Sequence, residues 1–174
     1  SLTVAPEALV DFTAGDDCLW LFGNRDHVQT RVLIKQLETA GQHFCLIEAG
    51  ATLTLNPERG TATVTPADAE QLTALIAELM QSAAFNQGRT PVCDGIIYLW
   101  GLEVPSVPNF NPELLAAQNT YSTYPLIALG QALLANSAPG RLIVATNTAQ
   151  AVLGGEAPNP LAAAAWGAGR VLWY

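Results

Sequence analysis

Four short runs of consecutive apolar residues constrain the fold most: Cys18-Leu19-Trp20-Leu21-Phe22, Phe44-Cys45-Leu46-Ile47, Ile96-Ile97-Tyr98-Leu99-Trp100 and Leu142-Ile143-Val144-Ala145. A strand with one wet face alternates apolar and polar residues. An unbroken apolar run therefore marks a strand covered on both faces, the usual situation in parallel sheets flanked by helices. The first run stops at Gly23-Asn24 and the second at Glu48-Ala49-Gly50.

The segments between these runs have helical spacing. Val28, Val32 and Leu37, with Leu33 and Ile34, predict a first helix, with Asn24 or Asp26 as its cap and Gly41 as a left-handed stop. Thr52-Leu53-Thr54-Leu55 and Thr61-Ala62-Thr63-Val64 flank the turn residues Asn56-Pro57-Glu58-Arg59-Gly60 and predict a β-hairpin excursion. Thr65 is expected to cap the next helix, with Pro66 in its first turn and Asp68 at the third position, ahead of Leu72, Leu75, Ile76 and Leu79. After the strand at Gly95 to Trp100 comes a loop with Pro105, Pro108 and Asn111-Pro112, where Asn111 should cap a long helix to about Ala135, kinked at Pro125. An Ala-rich helix from Pro160 to about Val171 closes the chain. Strands alternating with helices give an α/β fold with right-handed crossovers, and 174 residues fit a single domain spanning 1–174.

Composition excludes several functions. Hydrophobic residues make up 50% of the chain and charged ones 13%, about half the usual share, so a large core is assured and apolar surface is expected to be covered by a neighbour. The net charge is -8, and the seven basic residues Arg25, Arg31, Lys35, Arg59, Arg89, Arg141 and Arg170 stand singly, which argues against nucleic acid. No charge lies between Glu113 and Arg141, but Gln118, Asn119, Thr120, Ser122, Thr123, Pro125 and Gln131 interrupt that stretch, so a buried helix is expected rather than a membrane span. The opening residues lack a basic region followed by an apolar run, and a cytoplasmic location is expected. Cys18, Cys45 and Cys93 are widely spaced and odd in number, and the only histidines are His27 and His43, so neither a disulfide framework nor a zinc site is expected.

A β-α-β opening invites a dinucleotide, whose pyrophosphate needs a glycine-rich first turn. Here the turn reads Gly23-Asn24-Arg25-Asp26-His27-Val28-Gln29, with one glycine where three are needed, and Asp26 would repel phosphate. Glu48 stands where an acid would hold a ribose hydroxyl, a position that means little without the phosphate loop. A Tyr-x-x-x-Lys pair is absent, since the single lysine, Lys35, follows Arg31 by four residues, and the same count excludes a P-loop. There is no Gly-x-Ser-x-Gly elbow. His27 reads as a solvated residue of a helix's first turn rather than as a base, and Tyr98, Tyr121 and Tyr124 as core or interface aromatics. No catalytic, cofactor-binding or metal residue is assigned.

In order along the chain, several strings carry a resemblance. Trp20-Leu21-Phe22 with its degenerate turn is followed by the hairpin and the Thr65-Pro66-Ala67-Asp68 helix start. Then come Gly95-Ile96-Ile97-Tyr98-Leu99-Trp100-Gly101-Leu102 and Leu126-Ile127-Ala128-Leu129-Gly130-Gln131-Ala132-Leu133. Most specific are Arg141-Leu142-Ile143-Val144-Ala145-Thr146 with Thr148-Ala149-Gln150-Ala151-Val152, and Asn159-Pro160-Leu161 leading to Trp166-Gly167-Ala168-Gly169-Arg170-Val171. Over nearly its whole length the chain resembles the N-terminal, structural subdomain of the ketoreductase domain of modular type I polyketide synthases.

That resemblance implies a truncated Rossmann-like, mostly parallel sheet with flanking helices. It implies a non-catalytic scaffold, in some synthases part of a pseudo-ketoreductase. Such a half packs against and stabilises a catalytic subdomain that binds NADPH and reduces a β-ketoacyl chain on an acyl carrier protein. The family's catalytic residues map onto no position here. The implied partners are that catalytic subdomain in the same polypeptide and other synthase domains: the carrier protein and, in related synthases, an enoyl reductase or a C-methyltransferase. A Trp-x-Pro-like opening strand does not precede Ser1, and the acidic segment that usually follows the Gly-Arg-Val string is cut short at Tyr174, so an excised piece of a longer synthase is expected. The rival reading is a stand-alone acidic α/β enzyme or binding domain with an atypical site around Glu48, His27 or Tyr98.

Overall fold

Three of the four continuous apolar runs become the central strands of a mostly parallel sheet, while the fourth, at Leu142 to Val144, forms a less buried strand at its edge among the described residues. A computed structural model describes residues 18–82, 93–103, 122–138, 140–151 and 158–172. Within them, strands β1 (Cys18–Phe22), β2 (His43–Ala49), β3 (Thr54–Asn56), β4 (Thr61–Val64), β5 (Cys93–Tyr98) and β6 (Arg141–Val144) form a sheet of order β3-β4-β2-β1-β5-β6. Every pairing is parallel except β3 with β4. Four α-helices accompany it among the described residues: α1 (Val28–Ala40), α2 (Ala69–Gln81), α3 (Thr123–Ala135) and α4 (Pro160–Val171). The α/β, Rossmann-like class expected from the sequence is the one observed.

Successive side chains of β1 go to opposite faces, as the pleat requires. Cys18, Trp20 and Phe22 join Cys45, Ile47, Ile96 and Tyr98 in one core, closed by Leu72, Leu75, Ile76 and Leu79 of α2 and by Leu126 and Leu129 of α3. Leu19 and Leu21 join Leu46, Ile97 and Leu99 in a second core beneath Ile34 and Leu37 of α1. All three cysteines are buried, none in a disulfide, and they fill this interior as small hydrophobes.

Several local expectations need correction. The hairpin forms, but β4 also pairs in parallel with β2, so it is a member of the main sheet and only β3 is added antiparallel at the edge. Thr65 does not cap α2: its hydroxyl donates to the Ala51 carbonyl, and Asp68 is the cap, accepting from the Glu70 and Gln71 N–H groups. The turn through Pro66 and Ala67 lets Asp68 fold back on Thr65, and the helix starts three residues later than the Thr-Pro pattern suggested.

Helix α1 buries Ile34 and Leu37 as read from the sequence, but not Val28 and Val32. Val28 and Val32 are 57% and 52% exposed, while Thr30, Ile34 and Leu37 are buried. Neither Asn24 nor Asp26 caps this helix; His27 precedes it with no side-chain capping bond, and Gly41 ends it at φ +69°, as expected. Pro125 is the third residue of α3, where a missing N–H costs nothing, so it does not kink that helix. The expected cap at Asn111 lies outside the described residues. Strand β5 ends at Tyr98, and Trp100 opens a single 3₁₀ turn.

Asp68 satisfies two N–H groups that would otherwise be free at the α2 start. Asp68→Ala is expected to lower stability by about 1 kcal/mol, a Tm decrease of roughly 2–4 °C for a chain of this size. An unchanged melting temperature would show that the cap contributes nothing in solution.

Candidate functional site

In an open parallel sheet, ligands bind beyond the carboxyl ends of the strands where the order reverses, because the loops on either side diverge there. Here that point lies between β1, which leads through α1 to β2 on one side, and β5 on the other. The strand ends are extended by single bonds: Gly23 N–H to the Ile47 carbonyl at 3.0 Å, Leu99 N–H to the Phe22 carbonyl at 2.7 Å, and Ala145 N–H to the Tyr98 carbonyl at 3.0 Å.

Asn24 ties the three loops together. Its N–H donates to Glu103 Oε1 at 2.9 Å, and its side-chain amide donates to Glu103 Oε2. Its Oδ1 accepts the Ala49 N–H at 3.2 Å. Next to it, the Arg25 N–H donates to Glu48 Oε1 at 2.9 Å. The two carboxylates that point into this turn, from the ends of β2 and of the β5 loop, therefore take two of its backbone donors, those of Asn24 and Arg25. They also complement the positive end of α1, whose first turn carries no acid of its own.

Gly23 serves close packing. A Cβ there would lie 3.0 Å from Thr30 Oγ1 and 3.1 Å from Leu99 Cβ. Thr30, on the same face of α1 as the buried Ile34 and Leu37, packs into the space that Gly23 leaves. Among the described residues, Thr30 Oγ1, His27 Nδ1 and Trp100 Nε1 are buried without a hydrogen-bond partner. Trp100 meets Phe22 and Tyr98 edge to face, with ring centroids 5.5 and 5.7 Å apart, and belongs to the core beside them.

The sequence candidates are not assembled into a catalytic group. Glu48 is held by the Arg25 N–H, and His27 stands at the head of α1. Tyr98 is fully buried and donates its hydroxyl to the Ser122 carbonyl at 2.9 Å. Burial, with a smaller contribution from the Glu103 charge, pushes the Tyr98 phenol well above its ordinary range, so it stays protonated and away from any substrate. Among the described residues no three His, Cys, Asp or Glu side chains converge as metal ligands, and no helix is long and apolar enough to cross a membrane. Sequence reasoning missed Asn24 and Glu103 as partners. They are 79 positions apart, and only the adjacency of β1 and β5 brings them together.

No protein-family model matches the chain, and no curated protein does. Solved structures do. An N-terminal ketoreductase from the macrolactin assembly line matches at 20% identity with a TM-score of 0.55, over 76% of this chain and 25% of its own. The multidomain structure of a keto acid-selecting NRPS module, containing adenylation, ketoreductase and pseudo Asub parts, matches at 13% identity with a TM-score of 0.61, over 79% of this chain and 11% of its own. A short-chain dehydrogenase/reductase from Vibrio parahaemolyticus matches at 12% identity with a TM-score of 0.61, over 89% of this chain and 74% of its own. The fold is thus of the short-chain reductase and ketoreductase type, and the chain spans a quarter or less of the two assembly-line proteins it matches.

That fold implies a nicotinamide dinucleotide, and the residues at the turn do not fit one. The Asn24 and Arg25 N–H groups are already bonded to carboxylates, and a phosphate entering there would meet Glu48 and Glu103 as like charges.

Proposed function

We propose that this chain is a non-catalytic scaffold: the structural half of a ketoreductase of the polyketide synthase type, which packs against and stabilises an NADPH-binding catalytic half. The observation that carries this reading is the occupation of the β1–α1 turn by Glu103 and Glu48, which hold the Asn24 and Arg25 N–H groups and set two carboxylates where a phosphate would enter. NADPH then binds the partner half, which delivers hydride to a β-ketoacyl group on a carrier protein. The reductase-type fold and the string-by-string resemblance to structural subdomains support the same reading.

An association role also accounts for the exposed apolar residues. On α4, Trp166 is 37% exposed with the Arg170 guanidinium 5.0 Å above its ring, and Val171 is largely open. Trp166→Asp is expected to weaken association with the catalytic half by ten-fold or more, roughly the 1.4 kcal/mol or greater loss typical of a buried aromatic anchor. An unchanged dissociation constant in a size-exclusion or calorimetric assay would remove α4 from the interface. His27→Ala in the complete reductase should leave kcat unaltered, and a large loss would favour the stand-alone enzyme instead.

A further inference from the structure

Helix α1 carries a surface that the fold does not use. Among the described helices it alone packs into the second core, through Leu33, Ile34 and Leu37, whereas α2, α3 and α4 contribute to the first. Its outer stripe therefore lies on the opposite face of the sheet from the α4 surface proposed above for the catalytic half.

Along that stripe Val28, Val32, Lys35 and Thr39 recur at i, i+4, i+7 and i+11, the spacing that keeps one line along a helix, with Arg31 beside them. All five are exposed, and both valines keep more than half of their surface in water. Neither packing nor helix propensity accounts for them. A β-branched residue at an exposed helical site is a poorer helix former than alanine, and here it gains no burial in return. Two such side chains one turn apart are expected where a partner covers them.

The charge of the stripe indicates which partner. Arg31 and Lys35, the latter the chain's single lysine, stand one turn apart, and among the described residues neither takes part in an ion pair. No acid lies on the line itself: Asp26 precedes the helix, and Glu38 stands on its flank. Because the chain as a whole carries a net charge of -8, the stripe is a cationic island in a negative surround. An acidic partner is repelled by the rest of the surface and drawn here, whereas a basic partner has no reason to choose this face. The sign of the occupant follows from that complementarity. Its shape follows from the straight ridge, which packs into the groove between the side chains of another helix.

We propose that the outer stripe of α1 is a docking surface for an acidic amphipathic helix supplied by a partner protein. Apolar side chains of that helix cover Val28 and Val32, and its carboxylates pair with Arg31 and Lys35. The proposal does not depend on whether the β1–α1 turn admits NADPH.

The probe is a capped helical peptide of about fifteen residues, with leucines along one face and glutamates flanking them, titrated into the isotope-labelled 174-residue chain. Saturable shifts centred on α1 are expected, with a dissociation constant below about 100 µM at low salt that rises roughly ten-fold in about 0.5 M salt. Val32→Ser should weaken binding by about three-fold or more. The double variant Arg31→Glu/Lys35→Glu, with unaltered circular dichroism, should lose about ten-fold or more in affinity for this peptide and gain it for a counterpart carrying lysine in place of glutamate. Equal affinity of the unmodified chain for the two peptides would overturn the proposal, as would the absence of saturable binding below about 1 mM. Self-association of the chain that Val32→Ser abolishes would also overturn it, by making a second copy the occupant. Tighter binding of a DNA duplex than of the acidic peptide would give the stripe to nucleic acid instead.

Discussion

Glu103→Ala should lower the unfolding free energy by about 2–4 kcal/mol, because hydrogen bonds to a charged group contribute roughly 1.5–3 kcal/mol each and two are lost at once. The Asn24 N–H and side-chain amide would both lose their acceptor, in a partly buried site where water replaces a carboxylate poorly. The expected fall in Tm is roughly 5–10 °C. Glu103→Gln should cost less: one amide oxygen can still accept the Asn24 N–H, while its NH₂ faces the Asn24 amide. Asn24 cannot rotate to relieve that clash, since its Oδ1 is held by the Ala49 N–H. Glu48→Ala, which removes one exposed bond, should cost least. Urea unfolding of the three variants gives this ranking, and a silent Glu103→Ala would mean that the clasp does not form in solution.

Alkaline pH should destabilise the fold steeply, through buried thiols and a buried phenol. Burial pushes the Cys18 thiol from about 9 up to about 11, and burial with the neighbouring Cys18 charge pushes Cys45 up as well. Tyr98 is raised by burial and by Glu103. In each case the folded chain keeps a proton that the unfolded chain releases. The stabilisation is therefore complete below about pH 8.5, declines as the thiols of the unfolded chain ionise near pH 9, and declines faster once the phenol joins near pH 10. Each group contributes up to about 1.4 kcal/mol per pH unit, so the loss by pH 10.5 is roughly 4–5 kcal/mol, a large share of a typical domain's stability. Urea midpoints measured between pH 8 and 10.5 should fall progressively, and Cys45→Ala should flatten the slope by one proton's worth. A flat profile would place these groups in water rather than in the core.

The sheet was legible because parallel strands are apolar on both faces: Leu19 to Phe22 and Leu46 to Ile47 announce themselves without any partner in view. The α2 helix was legible from Leu72, Leu75, Ile76 and Leu79, all of which are buried. Local chemistry was read less well. Thr65 and Asp68 are both good caps, and the choice between them depended on Ala51, a residue of a different loop. Val28 and Val32 belong to a plausible apolar face, but the face that packs inward carries Thr30, Ile34 and Leu37, with Thr30 close against Gly23.

The candidate site was legible only as a deficit. The lost glycines predict poor phosphate binding, whereas the clasp that fills the turn depends on Asn24 and Glu103 meeting across two strands. Nothing in the local sequence around Glu103 distinguishes it from an ordinary exposed acid.

The central claim is that this turn is closed to a dinucleotide, and the most direct test is a fluorescence titration of the isolated chain with NADPH. No saturable change is expected up to millimolar nucleotide, with Glu103→Ala folded but equally unresponsive because Glu48 and the single-glycine turn remain. A dissociation constant in the micromolar range for the unmodified chain would contradict the scaffold account and return the site to the stand-alone enzyme.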